Sequence, residues 1–185
     1  MGPIHRPALV ANGPPILGVN MPGPLWEATR DLHHACEAHP VGAAMASGTP
    51  PMQWYADWLS ALYTIHWSVD QHIPPVIHRT EKVLKDLTAT DCPVNIIRAA
   101  NNYVISLEKE KDIAGAAYVL TGAHLMGGEI MRRRLVGYPT SHLEWNDRKA
   151  CIAELMKFRE REDIVQESRN CFQALLDIMD EIKAD

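Results

Sequence analysis

The sequence contains no long uninterrupted apolar run, although 46% of its 185 residues are hydrophobic. A helix that crosses a bilayer needs about 20 predominantly apolar residues, so a membrane anchor is not expected. The N-terminus also lacks the order of basic and then apolar residues that marks a secretion signal. We therefore predict a soluble, cytoplasmic protein.

Cysteine and basic residues are too sparse to define a site. The four cysteines are scattered, with neither the paired spacing of a metal site nor the pattern of a small disulfide-rich domain. The net charge is −5 and lysine and arginine are spread along the chain, so nucleic-acid binding is not expected. The one dense basic run, at 132–134, is most simply a solvated helical face.

Strand-like alternation is also scarce, and the fold class is predicted to be all-α. Residues 1–24 hold six of the thirteen prolines, so we predict an irregular leader there and a single helical domain over 25–185. A possible capping box at Ser141 and Glu144 would open a helix after the loop at 137–141. The predicted helices cover 25–38, a long segment from Thr49 to the prolines at 74–75, 76–87, 93–107, 112–136, 148–159 and 163–182.

Three glycines, Gly122, Gly127 and Gly128, interrupt the apolar segment that should form the helix at 112–136. Glycine in a helix interior is less favourable than alanine by about 1 kcal/mol. A helix with this composition usually bends, or places its backbone close to something flat or bulky. His124 adds a titratable group to the same segment, which makes it the best candidate for a functional element.

The first helix separates two adjacent histidines. On a helical wheel its apolar residues share one face, His34 lies opposite, and His33 lies at the edge of the apolar face. Glu37 is one turn after His33 and can accept the second imidazole N–H, as a metal-ligating histidine requires. Arg30 on the same stripe could hold a ligand carboxylate. The alternative is a partly buried histidine beside a surface ion pair.

Together these two segments resemble the heme oxygenase family. Leu25-Trp-Glu-Ala-Thr-Arg-Asp-Leu-His33, continuing to Glu37, is similar to the proximal-helix motif of the family. Residues 118–128 are similar to its distal helix, which has a tyrosine, a small residue, a polar residue, a leucine and a double glycine. Weaker likenesses extend the resemblance to the C-terminus. Most members carry aspartate at the position of His124, whereas the plant-type branch has histidine there.

The resemblance implies an all-α bundle that holds heme between the proximal and distal helices. His33 would ligate the iron and Glu37 would support it, while the distal side, with His124, Gly127 and Gly128, would carry catalysis. A tyrosine-and-arginine pattern that the family has on its penultimate helix is not recognisable at 148–159. The residues expected to contact heme besides His33 are Arg30, Glu37, Tyr118, Ala123, Gly127 and Gly128.

The activity implied by the resemblance is oxidative opening of heme to biliverdin, carbon monoxide and ferrous iron with O2. Heme would be both cofactor and substrate. Because the chain has no flavin or nucleotide fingerprint, electrons would come from an external donor, a ferredoxin or an NAD(P)H-dependent reductase. The arginines at 132–134, with Lys82 and Lys85, could form a basic surface for docking an acidic donor.

Three other functions stay open. A heme carrier or sensor without turnover is suggested by His124 and by Trp26, which replaces an often basic residue of the family. A non-heme di-iron oxidase of the related fold would need carboxylates and histidines at helical spacing. The pairs Asp31-x-x-His34 and His66-x-x-x-Asp70 are candidates, although the sequence contains no Glu-x-x-His.

The third possibility is a purely structural bundle, in which the double glycine allows close packing of helices. The remaining histidines, including His142, lie near predicted helix ends, where caps and solvent explain them.

Overall fold

The computed structural model of the protein describes residues 23–109 and 113–184. Over these residues the chain forms α-helices and short turns of 3-10 helix, without any β-strand, which confirms the all-α prediction. The predicted leader at 1–24 lies outside the described residues except for its last two. The helices are α1 (Pro24–Ala38), α2 (Pro40–Ser47), α3 (Met52–Val69), α4 (Thr80–Ala89), α5 (Arg98–Leu107), α6 (Ala114–Arg134), α7 (Arg148–Phe158) and α8 (Val165–Ala184).

Helix α8 is the element on which the bundle is assembled. Its apolar residues recur at a spacing of three and four, so that Cys171, Leu175, Ile178 and Ile182 share one buried face. Helices α1, α5 and α6 all pack along α8, and α3 packs against α4 and α5 on the other side of the core. Each fully buried aliphatic side chain contributes about 1.5–3 kcal/mol relative to an exposed one. None of the helices in the two described ranges has both the length and the apolar character needed to traverse a bilayer.

Helix α6 continues unbroken through all three of its central glycines. Its N-terminus is fastened to α8 by the Glu167 carboxylate, which accepts hydrogen bonds from the backbone N–H groups of Gly115 at 2.9 Å and Ala116 at 3.1 Å. Its last turn carries three arginines, whose positive charge complements the negative end of the helix dipole. Contacts at the two ends thus compensate for the poor helix propensity in the middle.

Helix α2 was not predicted from the sequence. It is short, and its residues do not alternate between apolar and polar faces, so periodicity carries no signal. The ends are nevertheless well defined. His39 Nδ1 accepts a hydrogen bond from the Val41 N–H at 3.2 Å, and Gly48 ends the helix with a φ of 82°. The following helix consequently begins at Met52 rather than at Thr49.

The predicted capping box at Ser141 is wrong. Residues 141–143 form one turn of 3-10 helix, and the Ser141 hydroxyl donates to Asp86 at 2.6 Å instead of capping a helix. The next helix, α7, begins only at Arg148. Its N-cap is Asp147, which accepts a hydrogen bond from the Ala150 N–H at 2.9 Å.

Candidate functional site

Helices α1 and α6 both pack on α8, and their direct contact with each other is slight. His33 of α1 lies against α8. Its ring lies 4.9 Å from the ring of Trp26 and 5.9 Å from that of Phe172 on α8, and both contacts are edge-to-face. Such aromatic contacts hold the imidazole in a fixed orientation. Phe172 was not recognised as a site residue, because its position beside His33 depends on how α1 packs on α8.

The surroundings of His33 keep its imidazole neutral. Burial lowers the pKa of His33, and the nearby Glu37 carboxylate opposes this only in part. The Nδ1 atom is closed off from solvent without a hydrogen bond, and Glu37 Oε2 lies 3.7 Å away. A neutral imidazole is the form that ligates metals. His34 lies on the solvent side of α1, as the helical wheel predicts.

Arg30 and Tyr118 lie in different environments. Arg30 is exposed and pairs with Glu27 at 3.4 Å, a surface contact weak enough to be exchanged for a ligand carboxylate. Tyr118 is half-buried. Burial raises the pKa of Tyr118, while the positive charge of Arg159 acts in the opposite direction. Arg159 also passes the start of α1, since a Cβ on Gly23 would lie 2.6 Å from its Cγ.

The structure therefore brings Arg159 close to Tyr118, although the sequence did not single it out. Arg159 is the C-cap of α7, directly after Phe158, within the segment 148–159 where the tyrosine-and-arginine pattern of the family was not recognisable.

One side of α6 is apolar and uncovered, and we call it the open face of α6. It consists of Ala123, Met126, Gly127 and Ile130, with Met126 40% and Ile130 52% exposed. A Cβ built on Gly127 would meet no heavy atom of the described residues within 4 Å, apart from the backbone of α6 itself. Packing among the described residues therefore does not explain why this position is glycine.

Gly128, the second member of the pair, is buried. A Cβ there would lie 3.5 Å from the Cδ2 of Leu143, an ordinary van der Waals distance. The two glycines thus lie in different surroundings. Gly127 belongs to the open face of α6, whereas Gly128 packs against the segment that follows α6.

His124 lies inside the protein rather than on the open face. It is 7% exposed, and its ring lies 6.0 Å from that of His66 and 5.5 Å from that of His142. Burial lowers the pKa of His124 well below its ordinary value, and the charges of His142, His66 and Arg79 act in the same direction. His124 Nδ1 and His66 Nε2 are both buried without a hydrogen-bond partner among the described residues. The rings of His124 and His66 are stacked, with an interplanar angle of 29°.

Two aspartates orient the outer histidines of this group, which we call the histidine cluster (His66, His124 and His142). Asp70 lies 3.3 Å from His66 Nδ1 and accepts hydrogen bonds from both the N–H and the hydroxyl of Thr80 at 2.7 Å. His142 Nδ1 donates to Asp86 at 2.6 Å. Because His142 is only 2% exposed, its expected position in solvent is wrong. The pairing of residues 56 positions apart gave no local signal.

No protein-family model matches the sequence, and no curated protein sequence matches it significantly. Solved structures do match. Heme oxygenase-2 from Synechocystis sp. PCC 6803, in complex with heme and NO, superposes with a TM-score of 0.73 at 20% identity, covering 86% of this chain and 84% of the other. Heme oxygenase from Leptospira interrogans gives 0.68 at 18% identity, covering 87% and 97%.

Heme oxygenase-1 from the cyanobacterium Synechocystis sp. PCC6803, in complex with heme, gives a TM-score of 0.68 at 17% identity, covering 86% of this chain and 89% of the other. Similarity at this level of identity concerns the fold. The chain has the all-α fold of the heme oxygenases.

Proposed function

We propose that the protein is a heme oxygenase, which binds heme between α1 and α6 and opens it to biliverdin, carbon monoxide and ferrous iron with O2 and external electrons. The observation that carries this proposal is that a half-buried, aromatically packed His33 on α1 and an uncovered glycine on α6 occur together on the fold of the heme oxygenases. Two of the matching structures contain heme.

The residues present suit a heme. Trp26 and Phe172 supply apolar ring surfaces next to His33. On the other side, the absence of a side chain at Gly127 leaves helix backbone available to a flat ligand. When bound, heme supplies both the redox-active iron and the carbon skeleton that is oxidised.

His33 would ligate the iron through Nε2, with Nδ1–H directed at Glu37. A small movement of the exposed Glu37 side chain closes the 3.7 Å gap to a hydrogen bond. A carboxylate in this position fixes the tautomer and the ring orientation of the ligand. Arg30 and Tyr118, together with Arg159, would hold the heme propionates, because they present a cation, a phenol and a second cation, with Arg159 beside the start of α1.

The open face of α6 would set the position of the heme plane. Ala123 and Gly127 allow close approach of the backbone, while Met126 and Ile130 cover the apolar surface that water would otherwise reach. Gly128 would act through its contact with Leu143, which determines how α6 is seated.

His124 would hold and pass on protons beside the distal helix. A neutral imidazole can accept a proton at one nitrogen and release one from the other. Its ring is stacked on that of His66 at 6.0 Å, and His66 is in turn paired with Asp70. The histidine cluster thereby offers imidazole nitrogens for proton transfer, which an aspartate in place of His124 would not supply.

The electron donor would be a ferredoxin or an NAD(P)H-dependent reductase docking on the basic surface at the end of α6. Arg132 and Arg133 both pair with Glu129, at 3.1 and 3.0 Å. Arg132 also lies 3.8 Å from Glu144, so the excess positive charge for an acidic partner comes from the third arginine of the run. This is Arg134, which donates to the Ala46 carbonyl at 2.8 Å.

The di-iron alternative is not supported by the structure. Arg169 binds both carboxylate oxygens of Asp31, at 2.8 and 2.9 Å, and this pair fastens α1 to α8. Asp70 is engaged by His66 and Thr80. The carboxylates that would have to hold two irons therefore have structural partners.

The structural-bundle alternative is not supported at Gly127. Close helix packing accounts for a glycine only where another atom would obstruct a Cβ, and no atom in residues 23–109 or 113–184 does so at this position.

A hemin titration of the wild type, His33→Ala and His34→Ala tests the heme site. We expect a histidine-ligated Soret spectrum for the wild type and His34→Ala, and its loss only in His33→Ala. Adding an electron donor to the complex then tests turnover by the appearance of biliverdin absorbance. A Soret band that persists without biliverdin identifies a heme carrier instead.

A further inference from the structure

Beyond the heme site, we propose that the heme-free protein binds one divalent transition-metal ion at His33, His34 and Glu37. One ligating atom from each of these side chains lies within 4.8 Å of the other two. Glu37 is four residues after His33 and three after His34, so it is one helical turn above both. The three side chains therefore converge on a single point at the surface of α1.

The distances suit metal bonds better than hydrogen bonds. His33 Nδ1 and Glu37 Oε2 are 3.7 Å apart, which is too far for a hydrogen bond. Two ligands bound to one ion at 2.0–2.1 Å in tetrahedral geometry are separated by about 3.4 Å. The exposed side chains of His34 and Glu37 can supply the remaining movement of about 1 Å by small rotations.

The ligands are free to bind. His33 Nδ1 has no hydrogen-bond partner among the described residues, so binding an ion there breaks no hydrogen bond of this atom. The other positions of an ion held here would be filled by water, since His34 and Glu37 face solvent. Two imidazoles and one carboxylate favour Zn²⁺, Ni²⁺ or Cu²⁺ over Mg²⁺ or Ca²⁺.

A metal ion at this position takes the same imidazole that the proposed function assigns to the heme iron. Metal and heme therefore compete, and free metal lowers the apparent affinity for heme. This competition rests on the proposed function, whereas metal binding by the heme-free protein does not.

Calorimetric titration of tag-free, heme-free protein with Zn²⁺ tests the metal site. We expect one ion per chain, with binding weakened at least tenfold in His34→Ala and Glu37→Gln. His72→Ala, which removes another exposed histidine, should bind as the wild type does. Absence of Zn²⁺ binding, or equal binding by His34→Ala, Glu37→Gln and the wild type, would overturn the metal site.

Hemin titration in the presence of Zn²⁺ tests whether the metal ion and heme compete for the His33 imidazole. At a Zn²⁺ concentration ten times its Kd, the apparent Kd for hemin should rise about elevenfold in the wild type. In His34→Ala, whose Zn²⁺ Kd is expected to be at least tenfold higher, the rise at the same Zn²⁺ concentration should be about twofold or less. If Zn²⁺ binds as expected but leaves the hemin affinity unchanged, competition between the metal ion and heme for His33 is refuted. If hemin does not bind at all while Zn²⁺ does, the proposed function fails and the metal site stands.

Discussion

Replacing Gly127 by alanine should have opposite effects on the stability of the heme-free protein and on its affinity for hemin. The added Cβ meets no heavy atom in the described part of the chain within 4 Å, so it clashes with none of these residues. Alanine is the better helix former by about 0.8–1.0 kcal/mol, and the free energy of unfolding should rise by that amount. For a domain of this size, the melting temperature should increase by about 2–4 °C.

Hemin binding should weaken in the same variant, because the new methyl group occupies the open face of α6. Forcing one extra methyl group into a close-packed contact costs about 1–3 kcal/mol. This corresponds to a Kd that is roughly 5- to 150-fold higher. Thermal denaturation of the heme-free protein and a Soret titration with hemin measure the two effects separately.

Gly122→Ala is the matched control on the same helix. Its Cβ would lie 3.9 Å from Leu155 Cδ1, at ordinary contact distance and away from the open face. We expect the same gain in stability with no change in hemin affinity. If Gly127→Ala binds hemin as tightly as Gly122→Ala does, the porphyrin does not lie against Gly127.

The other predictions concern packing, pH and docking. Gly115→Ala places a Cβ 2.7 Å from the Ser168 backbone nitrogen, so urea denaturation should show a loss of about 1–3 kcal/mol; unchanged stability would mean that α6 and α8 can separate freely. Burial lowers the pKa of His124 below its value in the unfolded chain, so the stability contributed by the neutral ring is fully present above the unfolded pKa. This contribution is lost as the pH falls below about 6.5. The loss should be about 1.4 kcal/mol per pH unit for each such histidine, and His124→Gln should flatten the slope measured between pH 7 and 5. Arg132→Glu combined with Arg133→Glu should slow reduction of bound heme by an acidic donor at low ionic strength; an unchanged rate would place the docking surface elsewhere.

The parts of the structure that follow from local periodicity were predictable. The helix predicted at 25–38 is observed as Pro24–Ala38, and the one at 163–182 as Val165–Ala184. The partial burial of His33 and the exposure of His34 follow from the same 3.6-residue period, because side chains on one helix are sorted by angle alone.

Features that depend on neighbours distant in sequence were not predictable. The contact of Gly128 with Leu143 needs the path of the chain after α6, and the bond from His142 to Asp86 needs two segments to meet. The double glycine could therefore be recognised as unusual, whereas the separate surroundings of its two members could not. Likewise, Arg159 approaches Tyr118 through the tertiary fold and belongs to no sequence motif.

Helix α6 is closely packed against its neighbours at both of its ends. Near its start, the backbone at Gly115 lies so close to Ser168 that even one extra carbon would collide with it. At its last residue, a Cβ on Gly48 would collide with the Arg134 carbonyl in the same way. A helix held in this way at both ends cannot rotate as a rigid body to admit a bulky ligand. Its middle, which contains Gly127 and Gly128, must bend instead. Within α6, amide hydrogen exchange should therefore be fastest near these two glycines and slowest near Gly115 and Arg134.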